Sequence, residues 1–140
     1  MPAERVFLDT NGWIALLNSS DVLHSPAEAI WEGLLKQGYT ILLTDWIVAE
    51  TGNGLARTPA RSQFPQSVGI VRASPRARLI PISDQIFQRA LDLYASRPDK
   101  TWGLVDCTSF IVMQEEGIHE AFTNDRHFKQ AGFKCLLPLR

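Results

Sequence analysis

The sequence predicts an α/β fold, a three-layer α/β/α sandwich around a mainly parallel central sheet, with residues 1–140 forming one domain. Two observations carry this. Short apolar runs of strand length alternate with longer stretches whose apolar residues recur at helical spacing. The chain also has ordinary globular composition over 140 residues, with 45% hydrophobic and 21% charged residues, so it can close a core without a disulfide or a structural metal.

The elements follow in order. Val6 to Asp9 is a short buried strand, and Thr10 to Asn18 a helix with Trp13, Leu16 and Leu17 at helical spacing. Ser25 and Pro26 open the next helix as N-cap and first helical residue; Ala29, Ile30, Leu34 and Leu35 supply its apolar stripe, and Gly38 ends it. Thr40 to Leu43 is the second strand. Thr44 or Asp45 caps the helix that carries Glu50, and Gly52 and Gly54 weaken its far end. A helical stretch starts at Thr58-Pro59 and is broken at Pro65 and again near Pro75. Arg78 to Ile82 is the third strand. Ser83 caps a helix reaching Ala95, with Ile86, Phe87, Ala90, Leu91 and Tyr94 facing inward. After the loop Arg97 to Lys100, a helix runs from Gly103 or Leu104 to Glu116, and Gly117 ends it. Glu120 to Thr123 is a strand, Asp125 to Gln130 a short helix and Lys134 to Leu137 the last strand.

The two cysteines, Cys107 and Cys135, form no C-x-x-C motif. No apolar leader precedes the first strand, and no run approaches the roughly 20 apolar residues of a membrane span. The expectation is a cytoplasmic protein with free thiols and no membrane association. P-loop, dinucleotide-binding and nucleophile-elbow signatures are absent, and no two of the three histidines have a zinc-ligand spacing.

Four carboxylates stand where a carboxylate is costly. Asp9 ends Val6-Phe7-Leu8, Glu50 follows Trp46-Ile47-Val48-Ala49, Asp106 lies inside Leu104-Val105-Asp106-Cys107, and Asp125 closes Ala121-Phe122-Thr123-Asn124. Taken singly, Asp9 and Asp125 read equally well as helix caps. Glu50 is harder to dismiss, because a mid-helix Glu on an apolar-looking face gains nothing as a cap. The strand–helix order places Asp9 and Asp125 beyond the carboxyl ends of strands, at the rim where such sheets bind ligands, and Glu50 and Asp106 can turn toward the same mouth. Acids gathered there repel one another unless a cation joins them. An oxygen-rich set selects Mg²⁺ or Mn²⁺, and such an ion fits phosphodiester hydrolysis. Asp9, Asp106 and Asp125 are the candidate ligands, and Glu50 is either a further ligand or the group that orients water. Thr10, Asn11, Thr123 and Asn124 are candidates for hydrogen bonds that aim the carboxylates.

Net charge is −1, yet Thr51 to Ser83 holds no acid and five arginines: Arg57, Arg61, Arg72, Arg76 and Arg78. Guanidinium groups suit phosphate, and Phe64 could stack on a base, so this block is a candidate RNA-binding surface; a solvated face or a site for an acidic protein segment are the alternatives.

These same stretches resemble the PIN-domain family, and within it the VapC-type ribonuclease toxins. The resemblance rests on Phe7 to Asn11, Thr44 to Thr51, Trp102 to Phe110 and Ala121 to Phe128, with Gly132-Phe133 beyond, which cover nearly the whole chain in the family's order. It implies Mg²⁺- or Mn²⁺-dependent cleavage of single-stranded RNA, with the family's four acids falling on Asp9, Glu50, Asp106 and Asp125. It also implies a homodimer and inhibition by a cognate antitoxin whose tail enters the acidic groove. Residues 55–75 follow no tight family pattern, and Gly103 stands where many relatives carry Ser. An RNA-maturation nuclease without an antitoxin and a non-catalytic binding module are the competing expectations. A receiver domain for phosphotransfer is disfavoured, since its acids would cluster early and a Lys would follow a late strand.

Overall fold

The computed structural model describes residues 4–139. Five strands form one parallel sheet in the order β3-β2-β1-β4-β5: β1 Arg5–Leu8, β2 Thr40–Thr44, β3 Ala77–Ile80, β4 Glu120–Phe122 and β5 Lys134–Cys135. Val6, Phe7 and Leu8 of β1 and Leu43 of β2 are buried completely or nearly so. Strands covered on both faces are apolar on both faces, which is why they read as continuous apolar runs.

Helices α1 (Thr10–Leu17), α2 (His24–Lys36), α3 (Asp45–Leu55) and α4 (Phe64–Ala73) belong to the β1–β2 and β2–β3 crossovers. Helices α5 (Asp84–Ser96) and α6 (Leu104–Glu116) make the long return from β3 to β4, and α7 (Arg126–Gln130) joins β4 to β5. The first two crossovers step one way along the sheet and the last two step the other way. Right-handed connections therefore put the two groups of helices on opposite faces. The aromatic contacts agree. Phe7 and Phe110 both meet Phe128 of α7, with ring centres 6.3 and 5.0 Å apart, whereas Phe122 meets Trp31 of α2 at 4.9 Å.

Several local expectations are corrected. Helix α2 starts at His24 rather than after a Ser25 cap, and the His24 ring is held by the Ala15 carbonyl at 2.8 Å and Glu28 at 3.1 Å. Pro26 still falls in the first turn, where its missing N–H costs nothing. Ala29 and Leu35 of the expected stripe are exposed, and Ala27 and Leu34 carry the buried contact. The stretch after Thr58 is a 3-10 turn, Pro59–Gln63, and Pro65 lies in the first turn of α4 instead of only ending what precedes it. Tyr94 is not inward-facing but 54% exposed. Phe64 packs on the Trp13 ring at 5.2 Å, so it is a packing residue between α1 and α4 and not a free platform for a base.

Candidate metal centre

Between β1 and β4 the chain changes direction along the sheet, and the crevice at the carboxyl ends of these strands collects the predicted acids. Asp9 follows β1 directly. It occupies the N-cap position of α1, yet its side chain caps nothing. The residue is 4% exposed, and its carboxylate accepts a 2.7 Å hydrogen bond from the Thr123 hydroxyl. That hydroxyl also accepts the Asp125 backbone N–H at 3.1 Å, so Thr123 fixes both acids from the end of β4. Burial pushes the Asp9 carboxyl up to about 7, with Asp106 and Asp125 adding smaller repulsions and the Thr123 bond opposing.

Asp106 sits in the first turn of α6. One of its oxygens accepts the Gly103 N–H at 3.0 Å, which is half of a capping box. Gly103 has no side chain to return the bond. A Cβ at this position would stand 3.8 Å from the Asp106 oxygen, so a larger residue would fit there. Burial, reinforced by Asp125, raises the Asp106 pKa above the usual carboxylate range, against the Gly103 bond and His127. Asp125 does cap α7, accepting the His127 N–H at 2.9 Å. Glu50, on α3, accepts a 2.6 Å bond from the Thr10 hydroxyl. Asp9, Glu50, Asp106 and Asp125 all line one open groove, with Asn11 and Asn53 at its wall.

His127 is the residue that sequence reasoning undervalued. Its Nδ1 lies 3.1 Å from Asp106 and 3.4 Å from Asp125, and its Nε2 lies 3.1 Å from the Thr101 hydroxyl. Asp106, Asp125 and His127 each present a ligating atom within 4.8 Å of the others. The available signal was local: a residue two places after a capping Asp lies beside that carboxylate. Of the four residues expected to aim the acids, Thr10 and Thr123 do so through the bonds above. Asn11 is exposed at the groove wall, and the buried Oδ1 of Asn124 has no hydrogen-bond partner.

The arginine block does not form one surface beside this groove. Arg76 precedes β3 and donates to the Leu35 and Tyr39 carbonyls at 2.8 and 3.0 Å, and Arg78 pairs with Glu116 at 3.2 Å. Both lie at the amino ends of the strands, across the sheet from the acids, and both have structural partners. Arg57, Arg61 and Arg72 are exposed on the segment after α3.

The sequence matches the PIN domain over residues 6–134. The chain belongs to the PIN-domain family. Its curated relatives include the 23S rRNA-specific endonuclease VapC20 of Mycobacterium tuberculosis, 27% identical over 95% of this chain and 98% of the relative. The crystal structure of that protein, described as a sarcin–ricin loop cleaving toxin, superposes with a TM-score of 0.84 over 95% of this chain and 99% of the other, at 26% identity. VapBC2 from Rickettsia felis, bound to a promoter DNA fragment, shares the PIN fold at TM-score 0.68 and 19% identity, covering 94% of this chain and 96% of that one. The donors of this PIN domain's groove are chiefly carboxylate oxygens, two of them on acids with raised pKa values. This is a set that a hard divalent cation would relieve. Among the described residues, no helix is long and apolar enough to cross a membrane.

Proposed function

We propose that this PIN domain is a Mg²⁺- or Mn²⁺-dependent endoribonuclease that cleaves single-stranded RNA, and that it is the toxin of a toxin–antitoxin pair. The observation that carries the proposal is the gathering of Asp9, Glu50, Asp106 and Asp125 in one groove from four separate parts of the chain. The likeness to VapC20 along almost its whole length supports the toxin reading.

Asp9, Asp106 and Asp125 would hold the cation. When bound, it would polarise the phosphoryl oxygen and make a water more acidic. The chain's own residues supply the rest. Thr123 keeps Asp9 and Asp125 aimed into the groove, and the Thr10 hydroxyl occupies one Glu50 oxygen, which leaves the other to orient the attacking water. His127 holds Asp106 and Asp125 close together. Asp9 gives up the proton that burial lets it keep near neutral pH as the cation arrives.

The 23S rRNA sarcin–ricin loop, which VapC20 cleaves, is the first substrate to present, within a panel of defined RNAs. Cleavage should require Mg²⁺ or Mn²⁺ and leave a 5′-phosphate and a 3′-hydroxyl. A 2′,3′-cyclic phosphate would exclude water as the nucleophile. Asp106→Asn should abolish both cleavage and growth arrest; an active variant would remove Asp106 from the site. The toxin reading further expects a homodimer by light scattering and relief of growth arrest by the product of an adjacent gene.

A further inference from the structure

The rim of the sheet carries a second hollow beside the acidic groove, between the last turn of α5, the loop at residues 97–103 and the first turn of α6. Tyr94, Arg97, Lys100, Thr101 and Trp102 line it, and no acid does. Tyr94 is 54% exposed there, whereas Ile86 and Leu93 of the same helix pack on the core. The wall opposite is firm. Arg97 lies 5.2 Å from the centre of the Trp102 ring and donates two 3.0 Å hydrogen bonds to Asp99, and the Trp102 indole donates to Gln130 at 3.0 Å. Arg97 and Lys100 outnumber Asp99, the one acid of the loop, so the wall keeps a net positive charge.

The hollow adjoins the acidic groove across one shared wall. Thr101 lines the first and bonds His127, which lines the second and touches Asp106. We infer that this hollow seats an unpaired nucleotide flanking the scissile phosphate, its base stacked on Tyr94 and its phosphate on Lys100. The inference rests on the ribonuclease reading above. Single-stranded RNA offers what the wall asks for, a flat π-face and an anion on neighbouring atoms. Leu91, Pro98 and Leu104 add apolar area to the hollow, but its lining carries two cations and no acid, which suits a phosphate-bearing occupant better than an uncharged protein face. Arg57, Arg61 and Arg72 stand on a different segment, so this seat is separate from the arginine block.

The test uses a short fluorescein-labelled single-stranded RNA, bound by the full chain in the Asp106→Asn background so that it stays intact. Tyr94→Ala should weaken binding about tenfold, within the range of one lost base stack, and Tyr94→Phe should restore it. Lys100→Ala should weaken binding and reduce the dependence of log K on log salt by about 0.7, the slope of one lost phosphate contact on a single strand. Tyr94 is exposed, so melting temperatures near that of the parent will show that the variants fold. If neither substitution moves RNA affinity while the unsubstituted protein cuts RNA, the seat is refuted and the nuclease reading stands. If Tyr94→Ala instead changes the oligomeric state at unchanged RNA affinity, the hollow is a protein interface and the inference fails. If the parent neither binds nor cuts any RNA, both readings fall together.

Discussion

Asp9 shows how far a single residue's environment can be pushed. Its position after an apolar strand was legible in the sequence, and so was the alternative that it merely caps α1. The structure separates the two, because the cap position is filled while the side chain turns away to Thr123. A carboxyl raised from 3.8 to about 7 holds its proton in the folded chain at pH values where the unfolded chain has lost it. This group therefore stabilises the metal-free fold most below about pH 4, and its contribution declines as pH rises toward 7, by at most about 1.4 kcal/mol per pH unit. Melting the metal-free protein across pH 5 to 8 should show this decline, and Asp9→Asn should flatten it and be the more stable protein at the alkaline end. An unchanged pH profile in the variant would mean that Asp9 is not the buried acid responsible. The sequence places His127 near Asp125 but reads it as a packing or capping residue, and its role beside Asp106 was hidden for a physical reason. Its contact with Asp125 is local, but its contact with Asp106 exists only because α6 and α7 meet in space.

At the scale of elements, the sequence signals worked where an element is set by its own residues. Thr44 and Ser83 cap α3 and α5 as their side chains suggest, accepting the Ile47 and Ile86 N–H groups, and Gly117 ends α6 in a left-handed conformation at φ 68°. They failed where another element decides. Tyr94 matches the apolar period of α5 but is exposed in the hollow beside the loop at residues 97–103, and Arg76 looked like a free cation until the end of α2 supplied a carbonyl for it. The placement of α1 rests on Gly12. A Cβ there would overlap the Phe122 carbonyl oxygen and ring, so α1 lies directly on β4 only because this residue has no side chain. Gly12→Ala should destabilise the fold by about 1–3 kcal/mol, the usual cost of overpacking. It should also impair RNA cleavage, because Asp9 and Thr10 begin the same helix. Denaturant unfolding and a cleavage assay together check this. A stable, fully active variant would show that α1 can ride higher on the sheet at no cost to the site.

For the whole molecule, the acid groove is a place where function opposes stability. Acids lie close together and two carboxyls are desolvated, which makes their charged forms costly, and the cation of the proposed function would offset that cost. Binding to the folded state alone should stabilise the protein by about 2.7 kcal/mol at a concentration a hundred times Kd. Calorimetry with Mn²⁺ should show a rise in Tm, and Asp106→Asn should lose most of it; an equal rise in the variant would place the ion elsewhere. The parallel sheet and its helical layers were legible because β1 and β2 read as compact apolar runs and strand-length stretches alternate with helical periods along the rest of the chain. The strand order was not, since pairing of β1 with β4 is invisible to local pattern. That pairing has a consequence in time. The site needs Asp9 from one end of the order of synthesis and Thr123 and Asp125 from the other. Strand β4 inserts beside β1 only after β2 and β3 are already made. A growing chain is therefore without the complete acid groove until Asp125 has been made. On the proposed reading, a partly translated chain lacks the centre that would cut RNA until the segment carrying Thr123 and Asp125 has joined Asp9.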